Sequence, residues 1–290
     1  MCSLRKALRL AGQQMGEWPR KPLFWLALAL NLNFTLEPAV ALIRASQLLG
    51  EPLQVLEPYL QMTSYIGTCF LWMIGLVIFL SDAPFLDERA TYVGLRMGRG
   101  EWLLAQLLYV AAACLLYALV RLAFALALTI PYAYSGNLWS STLWAIANNE
   151  GGIAYQLQIF FPNKYMMTLY TPYAFLGLSL GLQSLYCLTI GMMVFALNLV
   201  FRKGVGIAVA LCVHNLGYFI AFDGSVFANQ RWSLLVHSLG CLHDINQLLI
   251  QRFPAFWESF ALFLGLIGGL AALCAVRASK IDFSVPYRNL

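Results

Sequence analysis

Ser81 to Trp102 reads SDAPFLDERATYVGLRMGRGEW and lies between two long apolar runs. The chain is 61% hydrophobic and only 11% charged, yet this stretch carries Asp82, Asp87, Glu88, Arg89, Arg96, Arg99 and Glu101. Working outward from it, the apolar runs on both sides are long enough to be membrane spans. A helix rises about 1.5 Å per residue, so a hydrocarbon core about 30 Å thick takes roughly 20 apolar residues. Six stretches qualify: 22–43, 62–80, 103–130, 173–201, 205–222 and 255–276. A mean hydropathy of +0.71 excludes a soluble domain of this size. The expected fold is all-α, a single polytopic transmembrane domain over residues 1–290 with six transmembrane helices.

The placement of Lys and Arg orients the spans. With the N-terminus in the cytoplasm, thirteen of the eighteen basic residues fall in inside segments, among them Arg5, Lys6, Arg9, Arg20, Lys21, Arg202, Lys203, Arg277 and Lys280. Both termini are therefore expected to be cytoplasmic. The net charge of +5 follows from this asymmetry and gives no reason to expect nucleic acid as a partner. The basic start runs into a span too long for a signal-peptide core, and no small-residue cleavage site follows, so the first span reads as a retained anchor.

Residues 3–18 repeat apolar positions at Leu4, Leu8, Ala11, Met15 and Trp18, with Arg5, Lys6 and Arg9 elsewhere. That pattern predicts an interfacial amphipathic helix on membrane lipid, ended by Pro19 and Pro22. Two segments, 131–172 between spans three and four and 223–254 between spans five and six, are too apolar for free linkers and read as external helices.

Within 82–97, Ser81 or Asp82 can cap a helix with Pro84 in its first turn. That helix would expose Phe85, Leu86 and Tyr92 among Asp87, Glu88 and Arg89, a pattern that a loop with no partner gains nothing from. On these residues, with Arg96, Gly98-Arg99 and Trp102, and on Asn198-Leu199-Val200-Phe201-Arg202-Lys203-Gly204, the chain resembles the permease subunits of ABC-2-type transporters. The resemblance implies several things. The helix of residues 82–97 docks on a separate ATP-binding subunit through Phe85, Leu86, Asp87, Glu88, Arg89 and Tyr92. Two permeases pair as a homodimer or heterodimer. ATP and Mg reside on the partner, and the location is the inner membrane of a bacterium. The expected function is export of an amphipathic or hydrophobic substrate such as a peptide, lipid or drug. A polytopic membrane enzyme acting on lipid or peptide, and an ion-coupled secondary transporter, are the alternatives.

No Walker A loop is present: none of Lys6, Lys21, Lys164, Lys203 and Lys280 is followed by Ser or Thr. Gly177-Leu178-Ser179-Leu180-Gly181 spells a nucleophile elbow but lies in an apolar helix, without the strand the elbow needs. Its spacing, like that of Gly265 and Gly269, suits close helix packing instead. His237, Cys241, His243 and Asp244 read as polar surface and not as a metal set. No catalytic residue, metal or cofactor is expected on this chain. Four ionisable side chains fall inside or at the edge of spans: Glu37, Arg121, His214 and Glu258. Such residues are costly in hydrocarbon and call for partners. By height, Glu37 is the favoured partner of Arg121, with Glu258 second and snorkelling to headgroups the third outcome.

Overall fold

The computed structural model describes residues 3–83, 97–160, 162–201, 203–222, 230–242 and 254–280. They form a helical bundle with a single pair of two-residue strands. α1 (Leu4–Gly16) precedes a 3₁₀ turn at Trp18–Arg20 and α2 (Pro22–Leu49). The strand β1 (Leu53–Gln54) leads to α3 (Glu57–Ser64), α4 (Ile66–Phe79) and, after the charged stretch, α5 (Arg99–Thr129). Then follow β2 (Ala133–Tyr134), α6 (Ser141–Ala147), α7 (Ile153–Gln156) and α8 (Lys164–Leu169). α9 (Pro172–Val200), α10 (Val205–Phe222) and α11 (Phe256–Ala278) complete the chain.

Four helices, α2, α5, α9 and α11, are long and apolar enough to cross a membrane, and the pair α3–α4 raises the count to five if it is taken as one span. The predicted second span, 62–80, is not one straight helix: its first residues belong to α3, which meets α4 at 89°. Side-chain hydroxyls that compete with the helix ladder surround the break. Thr63 Oγ1 and Ser64 Oγ donate back to the Leu60 carbonyl, and Thr68 Oγ1 donates to the Tyr65 carbonyl, while Tyr65 is extended at φ −102° and ψ 126°. The predicted fifth span is α10, whose 18 residues rise only about 27 Å.

Proline and glycine punctuate α2 as sterics require. Pro22 opens it at a position where no amide donor is needed, and Pro38 in its interior leaves the Phe34 carbonyl without its usual donor. Gly50 ends it in the left-handed region at φ +69°.

The basal end of the bundle carries α1, the chain at 81–83, the start of α5, the α9–α10 turn and the end of α11. α1 lies on α5 through the small buried residues Ala7 and Ala11, and Leu4 and Leu8 stay more than half exposed beside them. The apolar stripe is thus divided, half toward α5 and half outward. Trp18 is buried, and its Nε1 donates to the Tyr109 hydroxyl at 2.6 Å.

The distal end is an ordered layer. β1 and β2 pair in parallel, Leu53 opposite Ala133 and Gln54 opposite Tyr134. The buried Glu57 carboxylate accepts from Ser140 N at 2.6 Å, Ser140 Oγ at 2.6 Å and Gln54 N at 3.0 Å, which ties α3 to the start of α6. Residues 230–242 run as short 3₁₀ turns, with Leu235, Val236 and Leu239 buried instead of lying on a surface.

Large apolar side chains such as Trp25, Leu26, Leu264 and Val276 are exposed along α2 and α11, an exterior that suits lipid better than water. The glycine pairs do not pack helices closely. A Cβ on Gly177, Gly265 or Gly269 meets nothing within 4 Å, and one on Gly181 only touches the Phe260 ring at 3.6 Å. Close approaches occur at Gly75 and Gly191, where a Cβ would strike Tyr117 and Cys114.

Candidate coupling site at the basal end

Phe85, Leu86, Asp87, Glu88, Arg89 and Tyr92 lie outside the described residues. What is described is the frame around them, and both ends of the stretch are bolted to other helices. On the departing side, the carbonyl of the buried Ala83 accepts from Asn198 Nδ2 at 2.6 Å, and Asp82 pairs with Lys203 at 3.3 Å. The ion pair is exposed and worth at most about 1 kcal/mol. The Asn198 contact is the stronger tie because Asn198 is fully buried.

Asn198 is placed there by the end of α9. The helix stops at Val200, and the chain must reverse before Val205. The first amides of any helix lack partners within it. Asn198 Oδ1 supplies one from the preceding helix, accepting from Gly204 N at 3.1 Å and Gly206 N at 2.8 Å. Gly204 takes φ +100°, and a Cβ on Gly206 would strike the Val194 carbonyl, so both positions require glycine. One side chain therefore caps α10 with its oxygen and holds the stretch leaving α4 with its nitrogen.

On the returning side, Arg99 Nη1 donates to the Ser279 carbonyl at 2.6 Å just past α11, and Arg277 Nε donates to the Leu199 carbonyl at 3.4 Å. Glu101 accepts from the Ser3 amide at 2.9 Å and lies 3.7 Å from Lys6. Trp102 is buried beside it. The stretch from 84 to 96 is thus held at one end by the α9–α10 turn and at the other by α1 and α11.

The other singled-out residues lie away from this frame. Arg121 is 1% exposed, so its charge does not reach the headgroups. Among the described residues no ion pair joins it to Glu37 or Glu258, which corrects the partner expected from height. Its Nη2 donates to the Met62 carbonyl at 3.4 Å, its guanidinium carbon sits 4.8 Å over the Trp72 ring, and among the described residues its Nε and Nη1 have no hydrogen-bond partner. Glu258, at the start of α11, accepts from the Ala255 amide at 3.0 Å and pairs with Arg231 at 3.6 Å. Glu37 is exposed on α2 and faces a cavity.

His214 is fully buried. Its Nε2 donates to the Phe70 carbonyl at 2.9 Å, which leaves Nδ1 to accept from the Tyr186 hydroxyl at 2.7 Å. His237 and Cys241 do not converge: His237 meets Ser259 Oγ at 2.7 Å and the Arg231 carbonyl at 2.9 Å, and Cys241 Sγ donates to the Ser64 carbonyl at 3.0 Å. Burial holds the His237 imidazole below its usual protonation range, partly offset by its bond to the Arg231 carbonyl and by the Glu258 charge. His243 and Asp244 lie outside the described residues.

Sequence reasoning passed over two residues. Asn198 enters the sequence reading only as part of a motif, although an Asn three residues before Phe201-Arg202-Lys203-Gly204 is the natural cap for a reversal. Glu57 does not enter it, although Ser140-Ser141 is a recognisable helix start able to bind a carboxylate. Comparison of the chain with protein-family models, with curated proteins and with solved structures finds no match.

Proposed function

We propose that the chain is the membrane-spanning permease subunit of an ATP-driven ABC transporter, working as an exporter of an amphipathic or hydrophobic substrate. Six crossings are proposed, with α10 as one and the bent α3–α4 pair as another, and with both termini on the cytoplasmic side. The basal end is then cytoplasmic, and residues 84–96 dock on a separate ATP-binding subunit that carries the nucleotide and Mg. Two such permeases, alike or related, pair in the inner membrane of a bacterium.

One observation carries this reading. The charge-dense stretch is tied at both ends, through Asn198 and Arg99 to the long helices α9 and α11 and through Glu101 to the start of α1. A loop that only joined two helices would need no such ties. A loop that transmits force needs them, because a displacement at its tip is otherwise lost in slack backbone.

The test is retention of the partner. Tagged wild-type protein should copurify an ATP-binding chain from native membranes. Replacing Phe85 and Leu86 together with Asp should leave the amount in the membrane unchanged and release that chain. An ATP-binding chain retained by the double variant sinks the docking assignment, and its absence from the wild-type preparation sinks the permease reading.

A further inference from the structure

A cavity of about 520 Å³ lies between α2, the α3–α4 bend, α10 and the segment after α7. Its size falls within the roughly 300–1,000 Å³ of small-molecule sites. Its depth places it in the distal half of the bundle: Glu37 lies about 22 Å along α2 from Pro22.

The wall has two characters. Tyr65, Phe70, Phe160 and Tyr218 supply aromatic rings, the first stacked on the third and the second packed on the fourth at 4.4 Å. Against them stands Glu37, the one acidic or basic side chain in the lining, and among the described residues no hydrogen bond or ion pair engages its carboxylate. Arg44 borders the adjoining recess, but it lies two helical turns farther along α2, about 10 Å along the axis.

The rim is held in a costly conformation. Gln158 has φ +53°, the left-handed region that a side chain other than glycine rarely adopts. It is kept there by Ile159 N donating to the Ala154 carbonyl at 2.8 Å and by Gln61 Nε2 donating to the Phe160 carbonyl. Together these place the Phe160 ring at the cavity. Backbone strain of this kind persists where the surroundings over-determine it.

We propose that this cavity binds a small amphipathic monocation, an apolar body carrying a protonated or quaternary amine, with Glu37 as its counter-charge and the four rings as its wall. Aromatic faces attract organic cations, and most strongly where water is excluded. An anion would meet the Glu37 carboxylate. A neutral apolar molecule would make no use of that carboxylate. A bare metal ion would need more oxygen ligands than one carboxylate and would make no use of the rings. That the bound molecule is also the cargo rests on the permease proposal; the binding itself does not.

The test uses purified full-length protein in nanodiscs without any ATP-binding subunit, so the two proposals fail separately. The probe is rhodamine 6G, a fluorescent amphipathic cation, followed by anisotropy with empty nanodiscs as the blank. Saturable binding is expected, competed by tetraphenylphosphonium and not by the anion 8-anilinonaphthalene-1-sulfonate. Glu37→Gln should weaken binding at least tenfold and Tyr218→Ala several-fold, while Glu37→Asp keeps most of it. Glu37 is exposed, so its substitution should leave the melting temperature unchanged. Absence of saturable binding overturns the proposal. So does equal affinity in the Glu37→Gln protein, or competition by the anion as strong as by the cation. If rhodamine binds as expected while no ATP-binding chain copurifies with the wild-type protein, the site stands and its role as a cargo site falls.

Discussion

Replacing Asn198 with Ala should unsettle the basal end more than any other single truncation of a polar side chain there. The change strands three groups: the Ala83 carbonyl, the Gly206 amide and the Gly204 amide. Gly206 and Ala83 are buried and Gly204 is half-buried, so water can replace only the last. An unpartnered buried backbone group costs about 1–3 kcal/mol, which puts the loss at about 2–5 kcal/mol after partial relaxation. At about 2–4 °C per kcal/mol for a chain of a few hundred residues, thermal unfolding in detergent should move down by on the order of 5–15 °C. Asn198→Asp separates the two jobs. Its carboxylate still accepts from both amides, but it can no longer donate to Ala83 and sets oxygen against oxygen. The cap on α10 should survive and the tie to residue 83 should not, so trypsin should cut after Arg89 or Arg96 faster than in wild type. A melting temperature for Asn198→Ala within 2 °C of wild type would refute this account of the turn.

Two further outcomes follow. His237 protonates less readily folded than unfolded, so the unfolded chain binds more protons below its ordinary range near pH 6.5. The stability His237 contributes is therefore complete above that pH and is lost as pH falls through it. Melting measured at pH 7.5 and 5.5 should drop more for wild type than for His237→Gln, and equal drops would show that burial of this ring is not linked to folding. For Arg121→Gln and Glu37→Gln, the absence of an ion pair predicts additive effects on stability, within about 0.5 kcal/mol. A double variant distinctly better than the sum would restore the pair that height alone had favoured.

The helices were legible because long apolar runs bounded by Pro22, Gly50, Pro172 and charged turns leave few other structures open. The bend at Tyr65 was not, because residues 62–80 read as one largely apolar run and only the hydroxyls of Thr63, Ser64 and Thr68 mark it. Glycine spacing misled for a related reason. A four-residue interval puts Gly177 beside Gly181 on one face but says nothing of what that face meets. Gly206, with no glycine partner at helical spacing, is where two backbones come together. The hydrogen-bonded frame around 84–96 was half legible: the chain marks its two ends as unusual, but the side chain that holds the first of them reaches across more than a hundred residues.

The failure of the expected Glu37–Arg121 pair has a physical reason that also explains how Arg121 is tolerated. Height along a helix fixes one coordinate, and azimuth, about 100° per residue, fixes the other. In α2 the buried stripe runs through Ala27, Asn31, Thr35 and Ala39. Glu37, two residues from the last two of these, points about 160° away from it. In α5 the stripe runs through Tyr117, Ala118, Arg121 and Ala125, so Arg121 points inward. There it meets the carboxy end of α3. The 89° break leaves the last carbonyls of α3 without partners from a continuing helix, and the end of a helix carries partial negative charge. Arg121 Nη2, Thr68 Oγ1 and Cys69 Sγ all donate to one of those carbonyls, that of Met62. The counter-charge of the guanidinium is therefore a helix terminus and an indole face, not a carboxylate. The bend that shortens α4 and the charge buried inside α5 account for each other, and Glu37 is left free to face the cavity.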